Sequence, residues 1–330
     1  MGIVNDIFDS LRFKDTIFYK SNSDLQERFD ALTKLNKEYP QNSDILSELY
    51  IVKKGLDGEK EISYQLKKAN IGMYVLHDVK VKYENITAQI DYIVITPVFT
   101  YYIECKNLIG NITVNEKGDF IREYTFNGKK IKKGMYSPLR QVEAQREVIR
   151  KIWENNTSSL VKIFGSKNFD YYRRVLVVAA NQETILNTTR APKNIKYKVL
   201  RADALVRQIQ YDLDHRRSDD SYASKKNMEL TAQSYANLCI NENVDYYEYY
   251  KNKFCQNNIS DNLKKRLVEL RKTRASEMKL PAYYVFTNDE LEKLVELRPT
   301  SIDELKKLNI LTPVKIKTHG ESIISEINKN

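Results

Sequence analysis

Cysteine is scarce in this chain: Cys105, Cys239 and Cys255 are three among 330 residues, widely separated and without a CxxC pair. That excludes a zinc ribbon or a disulfide framework and makes a reducing cytoplasm the expected setting. Histidine is equally sparse, with only His77, His215 and His319 and no HExxH spacing. Any metal chemistry must therefore rest on carboxylates. No stretch approaches the roughly 18 uninterrupted apolar residues of a membrane span. The opening segment carries Asp6, Asp9, Arg12, Lys14 and Asp15 among its apolar residues, so no secretory leader is expected. There is no GxxxxGK[ST] loop, which argues against a nucleotide-driven motor in this chain, and no tandem repeat.

What is present is charge on a globular background. Hydrophobic residues make up 42% of the chain and charged ones 30%, with a mean hydropathy of -0.57. That composition builds a core and excludes a largely disordered or collagen-like chain. Lys and Arg number 54 against 44 Asp and Glu, a net charge of +10, which favours polyanionic partners: nucleic acid or an anionic surface. No basic amphipathic helix with an aromatic face stands out, so a membrane partner is not expected.

Four segments follow from patterning. Residues 1–50 read as a polar, helical N-terminal segment. Residues 51–212 read as a mixed sheet flanked by helices. A helix that runs across the boundary into it shows Ile45, Leu49, Val52, Leu56, Ile62 and Leu66 at helical spacing, interrupted by Gly55 and Gly58. The β-branched run AQIDYIVIT (88–96), FTYYIECK (99–106) and RVLVVAA (174–180) read as strands. Asn127-Gly128 reads as a hairpin turn, and Ser137-Pro138 opens a helix with Ser as its cap. Residues 213–258 read as a helical connector. Residues 259–330 read as a small all-helical domain, with capping boxes at Thr287/Glu290 and Ser301/Glu304.

One constellation carries chemistry. Asp91 lies in one apolar strand, and Glu104-Cys105-Lys106 ends the next. Side chains alternate along a strand, so Glu104 and Lys106 share a face. A hairpin between the two strands brings Asp91 beside them. Two carboxylates, with the Cys105 carbonyl as a third oxygen, suit Mg²⁺ or Mn²⁺, which takes hard oxygens, water and substrate phosphate. Lys106 would orient a water or stabilise a developing anion. Taken alone, an ExK pair on a strand is usually an exposed salt bridge.

The segments GLDGEKEISYQL (55–66), YVLHDVKV (74–81), QIDYIVI (89–95), YYIECKNLIGNI (101–112) and SPLRQVEAQ (137–145) occur in this order. The series resembles the nuclease-related domain, NERD, of the PD-(D/E)XK superfamily. The resemblance implies a restriction-endonuclease-like αβββαβ core and Mg²⁺-dependent phosphodiester hydrolysis. It implies Asp91, Glu104 and Lys106 as the catalytic core, and Glu59 as the helix acid that completes the metal site. It also implies functional polar positions at Gln89 and Gln141. Lys129, Lys130, Lys132 and Lys133, with Arg140 nearby, read as a phosphate-contacting excursion.

LRKTRASEMKLPAYYVF (270–286), RPTSIDEL (298–305) and HGESIISEI (319–327) resemble the HRDC domain of RecQ-type helicases and RNase D-like enzymes. NILTP (309–313) departs from that family, which has a glycine-containing turn there. The resemblance implies nucleic-acid docking, with Lys264, Lys265, Arg271 and Arg274 as candidate contacts.

The combined expectation is an α/β nuclease core with an all-α C-terminal bundle, cleaving DNA rather than RNA with Mg²⁺ or Mn²⁺, alone or beside a partner helicase. The reading from a different class is a non-catalytic DNA-binding or scaffold protein in DNA repair, recombination or defence.

Overall fold

The β-branched and aromatic runs form the centre of a six-stranded mixed sheet in the computed structural model, which describes residues 13–21, 23–156, 168–240 and 243–329. Contacts divide the described residues into two units, one drawn from within 13–33 and 46–243, the other from within 34–45 and 244–329.

The first unit begins with β1 (Thr16–Lys20), followed by α1 (Asp24–Glu38) and α2 (Ser43–Lys67), whose outer turns extend into the second unit. Then come β2 (Met73–Tyr83), β3 (Ile86–Ile95), β4 (Thr100–Lys106), β5 (Asn111–Val114), β6 (Phe120–Phe126), β7 (Lys129–Met135) and α3 (Pro138–Asn156). After these come β8 (Arg173–Ala179), β9 (Leu186–Asn187), β10 (Val199–Arg201), α4 (Leu205–Asp214) and α5 (Lys225–Leu238). The main sheet has the order β1-β2-β3-β4-β8-β10, and a smaller sheet has the order β7-β6-β5-β9. The run α2-β2-β3-β4-α3-β8 is the expected αβββαβ core.

Both faces of the main sheet are covered, which is why its strands are apolar almost throughout. One face packs Leu76, Val79, Ile93 and Tyr102 against Val142, Ile149 and Ile152 of α3 and Met228 and Ala232 of α5. The other packs Val75, Tyr92, Val94 and Tyr101 against Ile62 and Leu66 of α2 and Leu205 and Ile209 of α4. Each fully buried Leu, Ile or Val contributes roughly 1.5–3 kcal/mol.

Two expectations change here. Residues 1–50 are not wholly helical: Thr16–Lys20 is a strand, pairing in parallel with β2 from Thr16↔Met73 to Lys20↔Leu76. Its TIFYK sequence is short and rich in β-formers, so periodicity over a longer window misses it. Residues 1–12, read as part of the same helical segment, lie outside the described residues. Residues 213–258 are helical in α5 but do not merely connect. Tyr235 enters the sheet's core, where its hydroxyl meets that of Tyr102 at 2.7 Å in a buried pair.

In the second unit, α6 (Tyr246–Lys251) precedes α7 (Asn257–Met278), α8 (Asn288–Leu297), α9 (Ile302–Lys307) and α10 (Pro313–Ile327). Leu267, Phe286, Leu294, Leu305 and Ile323 form its core. In the turn that lacks a glycine, Asn309 adopts φ 49°, and Asn tolerates the left-handed region better than other side chains. The capping box at Thr287 is formed, with Thr287 N donating to Glu290 Oε2 (2.6 Å) and Glu290 N to Thr287 Oγ1 (3.2 Å). Thr287→Ala is expected to lower the opening free energy of this unit by about 1 kcal/mol, read from its slowest-exchanging amides.

Candidate active site

Strand register brings the acids together. β3 and β4 pair antiparallel, with Tyr92↔Ile103 the last paired residues before Asp91 and Glu104, which come next on each strand. The Asp91 Oδ2 accepts a hydrogen bond from Cys105 N at 2.6 Å, fixing the carboxylate against the end of β4. Lys106 lies on the Glu104 face: its Nζ donates to Glu104 Oε1 at 2.5 Å and to Gln141 Oε1 of α3 at 3.2 Å. Ser137 positions that helix as expected, its Oγ accepting from Arg140 N at 3.3 Å.

The sheet is irregular at this point. Leu76 and Val79, and likewise Ile90 and Ile93, are three residues apart, yet all four enter one core cluster. In a regular strand only residues two apart share a face. Asp78 and Asp91, between His77↔Tyr92 and Val79↔Ile90, drop out of the β2–β3 pairing. Asp78 carries φ 55°, a strained conformation for a non-glycine residue. Its carboxylate is anchored on both oxygens: Oδ1 accepts from Gln89 Nε2 (2.6 Å) and Oδ2 from Asp24 N (2.8 Å). Lys20 Nζ donates to the carbonyls of His77 (2.9 Å) and Asp78.

A cleft of about 560 Å³ opens over the pair, lined by Glu59, Gln89, Asp91, Glu104, Cys105, Lys106 and Gln141 among others. Glu104 is 2% exposed. Asp91 reaches the cleft surface but lies deep in protein, and this desolvation, reinforced by the facing Glu104, holds its carboxyl well above the usual range. Cys105 N–H and Lys106 oppose the shift. Burial pushes the Cys105 thiol well up from its ordinary range, and the nearby carboxylates add to the shift.

All the residues expected at the catalytic site line this cleft, but their engagements differ. Glu59 stands beside the acid pair with its Oε2 taken up by Ser23 Oγ (2.9 Å) and by a close contact with His77 Nε2 (2.9 Å). Gln89 faces Asp78 through its amide. Gln145, one helical turn after Gln141, was not singled out from sequence; its Nε2 donates to Gln89 O (2.6 Å) and more weakly to Glu104 Oε2 (3.4 Å). The i, i+4 spacing of the two glutamines was the available signal. The places of Asp78, His77 and Ser23 beside the site do not follow from the sequence; of these, an acid inside the apolar run of β2 was the readable sign.

Among the described residues, no group of three or more His, Cys, Asp and Glu side chains is arranged to hold a metal by itself. The Asp91–Glu104 pair nonetheless fits a hard divalent cation. Mg²⁺ commonly takes one or two carboxylates and completes its shell with water and substrate phosphate. Two facing carboxylates in a desolvated site repel unless a cation or a proton lies between them.

The chain matches two family models. Residues 54–178 match the nuclease-related domain, NERD, and residues 260–327 match the HRDC domain. The chain joins a nuclease-related domain to an HRDC domain. No curated protein and no solved structure matches it.

The nuclease-related match contains Glu59, Gln89, Asp91, Glu104, Lys106 and Gln141, while Leu25, which also lines the cleft, lies outside it. Within it, the expected phosphate-contacting lysines form strand β7: Lys129 and Lys130 are exposed at its tip, while Lys132 pairs with Glu123 at 2.7 Å. Arg140 is exposed on the first turn of α3. The expected contacts of the HRDC domain are less free. Lys264 pairs with Glu292. Arg271 donates to Asn288 Oδ1 (2.9 Å) and Phe286 O (3.3 Å), and Arg274 to Glu277 (3.0 Å) and Ser322 (2.8 Å). These arginines hold the bundle together, whereas Lys265 is exposed. No helix among the described residues is long and apolar enough to cross a membrane.

Proposed function

We propose that this chain is a divalent-metal-dependent nuclease that hydrolyses phosphodiester bonds of DNA in the cytoplasm, with the HRDC domain docking the substrate. The observation that carries the reading is the convergence of Asp91 and Glu104, each next beyond the last β3–β4 pair, on one open cleft, with Lys106 bonded to Glu104. Asp91 and Glu104, with the carbonyl of Cys105, would hold Mg²⁺ or Mn²⁺. When bound, the cation would neutralise charge on the scissile phosphate and acidify an attacking water.

The chain's own residues do the rest. Cys105 N–H fixes the Asp91 carboxylate. Gln141 and Glu104 orient the Lys106 ammonium, which places a fixed positive charge where the phosphate must sit. Gln145 ties the β3 backbone to α3 beside Glu104. Asp78 holds Gln89, and through it the distorted stretch of β3 that presents Asp91. A scaffold protein would have no use for two desolvated carboxylates set face to face, which is why the catalytic reading is preferred.

Cleavage of single-stranded, duplex and branched DNA in Mg²⁺ or Mn²⁺ tests this directly. Wild-type protein is expected to cut in metal and not in EDTA. Mn²⁺ is expected to raise its melting temperature by mass action, and Glu104→Gln is expected to lose both responses. A wild-type protein that neither cuts nor responds to metal would move the chain to the DNA-binding reading.

A further inference from the structure

The β6–β7 hairpin carries a feature that the cleft chemistry does not use. Its strands pair Phe120↔Met135, Arg122↔Lys133, Tyr124↔Ile131 and Phe126↔Lys129. Alternation puts these four pairs on one face of the ribbon. At the root that face is core: Phe120 is buried and Met135 packs beside it. Further out the same face emerges into solvent, and there it alternates cations with rings. The Arg122 guanidinium lies 4.5 Å and Lys133 Nζ 5.6 Å from the centre of the Tyr124 ring. Phe126 at the tip is 60% exposed. Lys129 and Lys130 beside it make no ion pair among the described residues. The Asn127-Gly128 turn, with φ 48° and 74°, closes the hairpin and holds Phe126 opposite Lys129.

The ribbon leads to the cleft. Tyr136 directly follows β7, is 73% exposed and lines the cleft that holds Asp91, Glu104 and Lys106. One continuous stretch of chain therefore runs from an exposed ring among lysines to an exposed ring that lines the cleft.

Rings and cations interleaved in this way match one kind of polyanion. Duplex bases are stacked on one another and offer no free face to an aromatic side chain, whereas unpaired bases do. Ring positions two residues apart along a strand are roughly 7 Å apart. That is about twice the ~3.4 Å rise per nucleotide of one strand in a duplex, so bases seated on both are drawn apart. The lysines supply the sequence-independent phosphate contacts.

We propose that the Phe120–Met135 ribbon is a binding platform for single-stranded nucleic acid, stacking unpaired bases on Phe126 and passing the strand by Tyr136 into the cleft. The destination of the strand rests on the nuclease reading above; the platform itself does not.

The test is fluorescence anisotropy of the full chain in EDTA. The probes are a labelled thymidine 15-mer, a uridine 15-mer and a blunt DNA duplex of equal length. Phe126→Ala is expected to weaken single-strand binding by about tenfold and duplex binding by less than about twofold, with Phe126→Trp restoring the wild-type affinity. A 2-aminopurine in the single strand should be quenched by the wild type and less by Phe126→Ala. Lys129→Ala with Lys130→Ala should weaken both substrates and flatten the salt dependence by about one to two slope units. The uridine arm assigns the platform to DNA, RNA or both. Unchanged single-strand affinity in Phe126→Ala, or parallel loss on strand and duplex, overturns the proposal. The exposure of Phe126 makes misfolding of its variants easy to check by circular dichroism. Selective loss on single strands beside a wild type that never cleaves would sink only the nuclease reading, and cleavage by a wild type whose binding ignores Phe126 would sink only the platform.

Discussion

Asp91→Asn is expected to abolish metal-dependent cleavage, by about 10³-fold or more, while leaving the protein at least as stable as the wild type in EDTA. The two halves of this result have one cause. The Asp91 carboxyl is desolvated and faces Glu104, and both effects disfavour its ionised form. An amide keeps an oxygen to accept from Cys105 N and removes the repulsion, but it supplies no charge to a cation. The sign of the pH effect follows. The folded pKa of Asp91 lies above its unfolded value near 3.8, so the folded state binds the proton more tightly. This group's contribution to stability is complete below about pH 4 and is lost as pH rises toward the folded pKa. Thermal unfolding of metal-free wild type above pH 4 should show that loss, and Asp91→Asn should not. A variant that is both inactive and strongly destabilised in EDTA would mean that Asp91 is a structural acid instead.

Gly58→Ala is expected to cost about 1–3 kcal/mol by overpacking and to impair cleavage as well. A Cβ at Gly58 would stand 2.6 Å from Asn107 Cβ and 3.2 Å from Cys105 Sγ. Neither neighbour yields easily, because Asn107 follows β4 directly and its Nδ2 donates to the carbonyl of Lys54 in α2 at 2.6 Å. The helix would have to withdraw from the end of β4, carrying Glu59 with it. Gly55→Ala is the control. Its Cβ would meet only the end of the Leu25 side chain at 3.0 Å, and alanine gains up to about 1 kcal/mol of helix propensity. Urea unfolding should therefore separate the two glycines, Gly55→Ala staying neutral or stabilising. Equal losses would show that both positions matter only as helix interior.

That contrast also marks how far the sequence could be read. Both glycines stand out in it as interruptions of one apolar helical pattern. The difference between them depends on a residue 49 positions away and cannot be seen from spacing. The same holds around the cleft. Asp91, Glu104 and Lys106 could be placed on one sheet edge because strand alternation and hairpin pairing are local rules. Gln145, His77 and Ser23 could not, because their partners come from other elements. Asp78 was hidden for a further reason: a positive φ shifts the phase of the strand at that residue, which regular alternation cannot register.

By itself, the sequence determined the fold class, the order of the two family domains and the strands that carry the acids, since these depend on periodicity, turn chemistry and ordered motifs. Only the tertiary structure decided that Thr16–Lys20 joins the sheet, that α5 belongs to its core and that arginines of the HRDC domain brace their own bundle. It alone decided, too, that Glu59 is engaged by Ser23 and His77. These features are contacts between distant segments, and their free energy comes from burial and hydrogen-bond partners that no local pattern records.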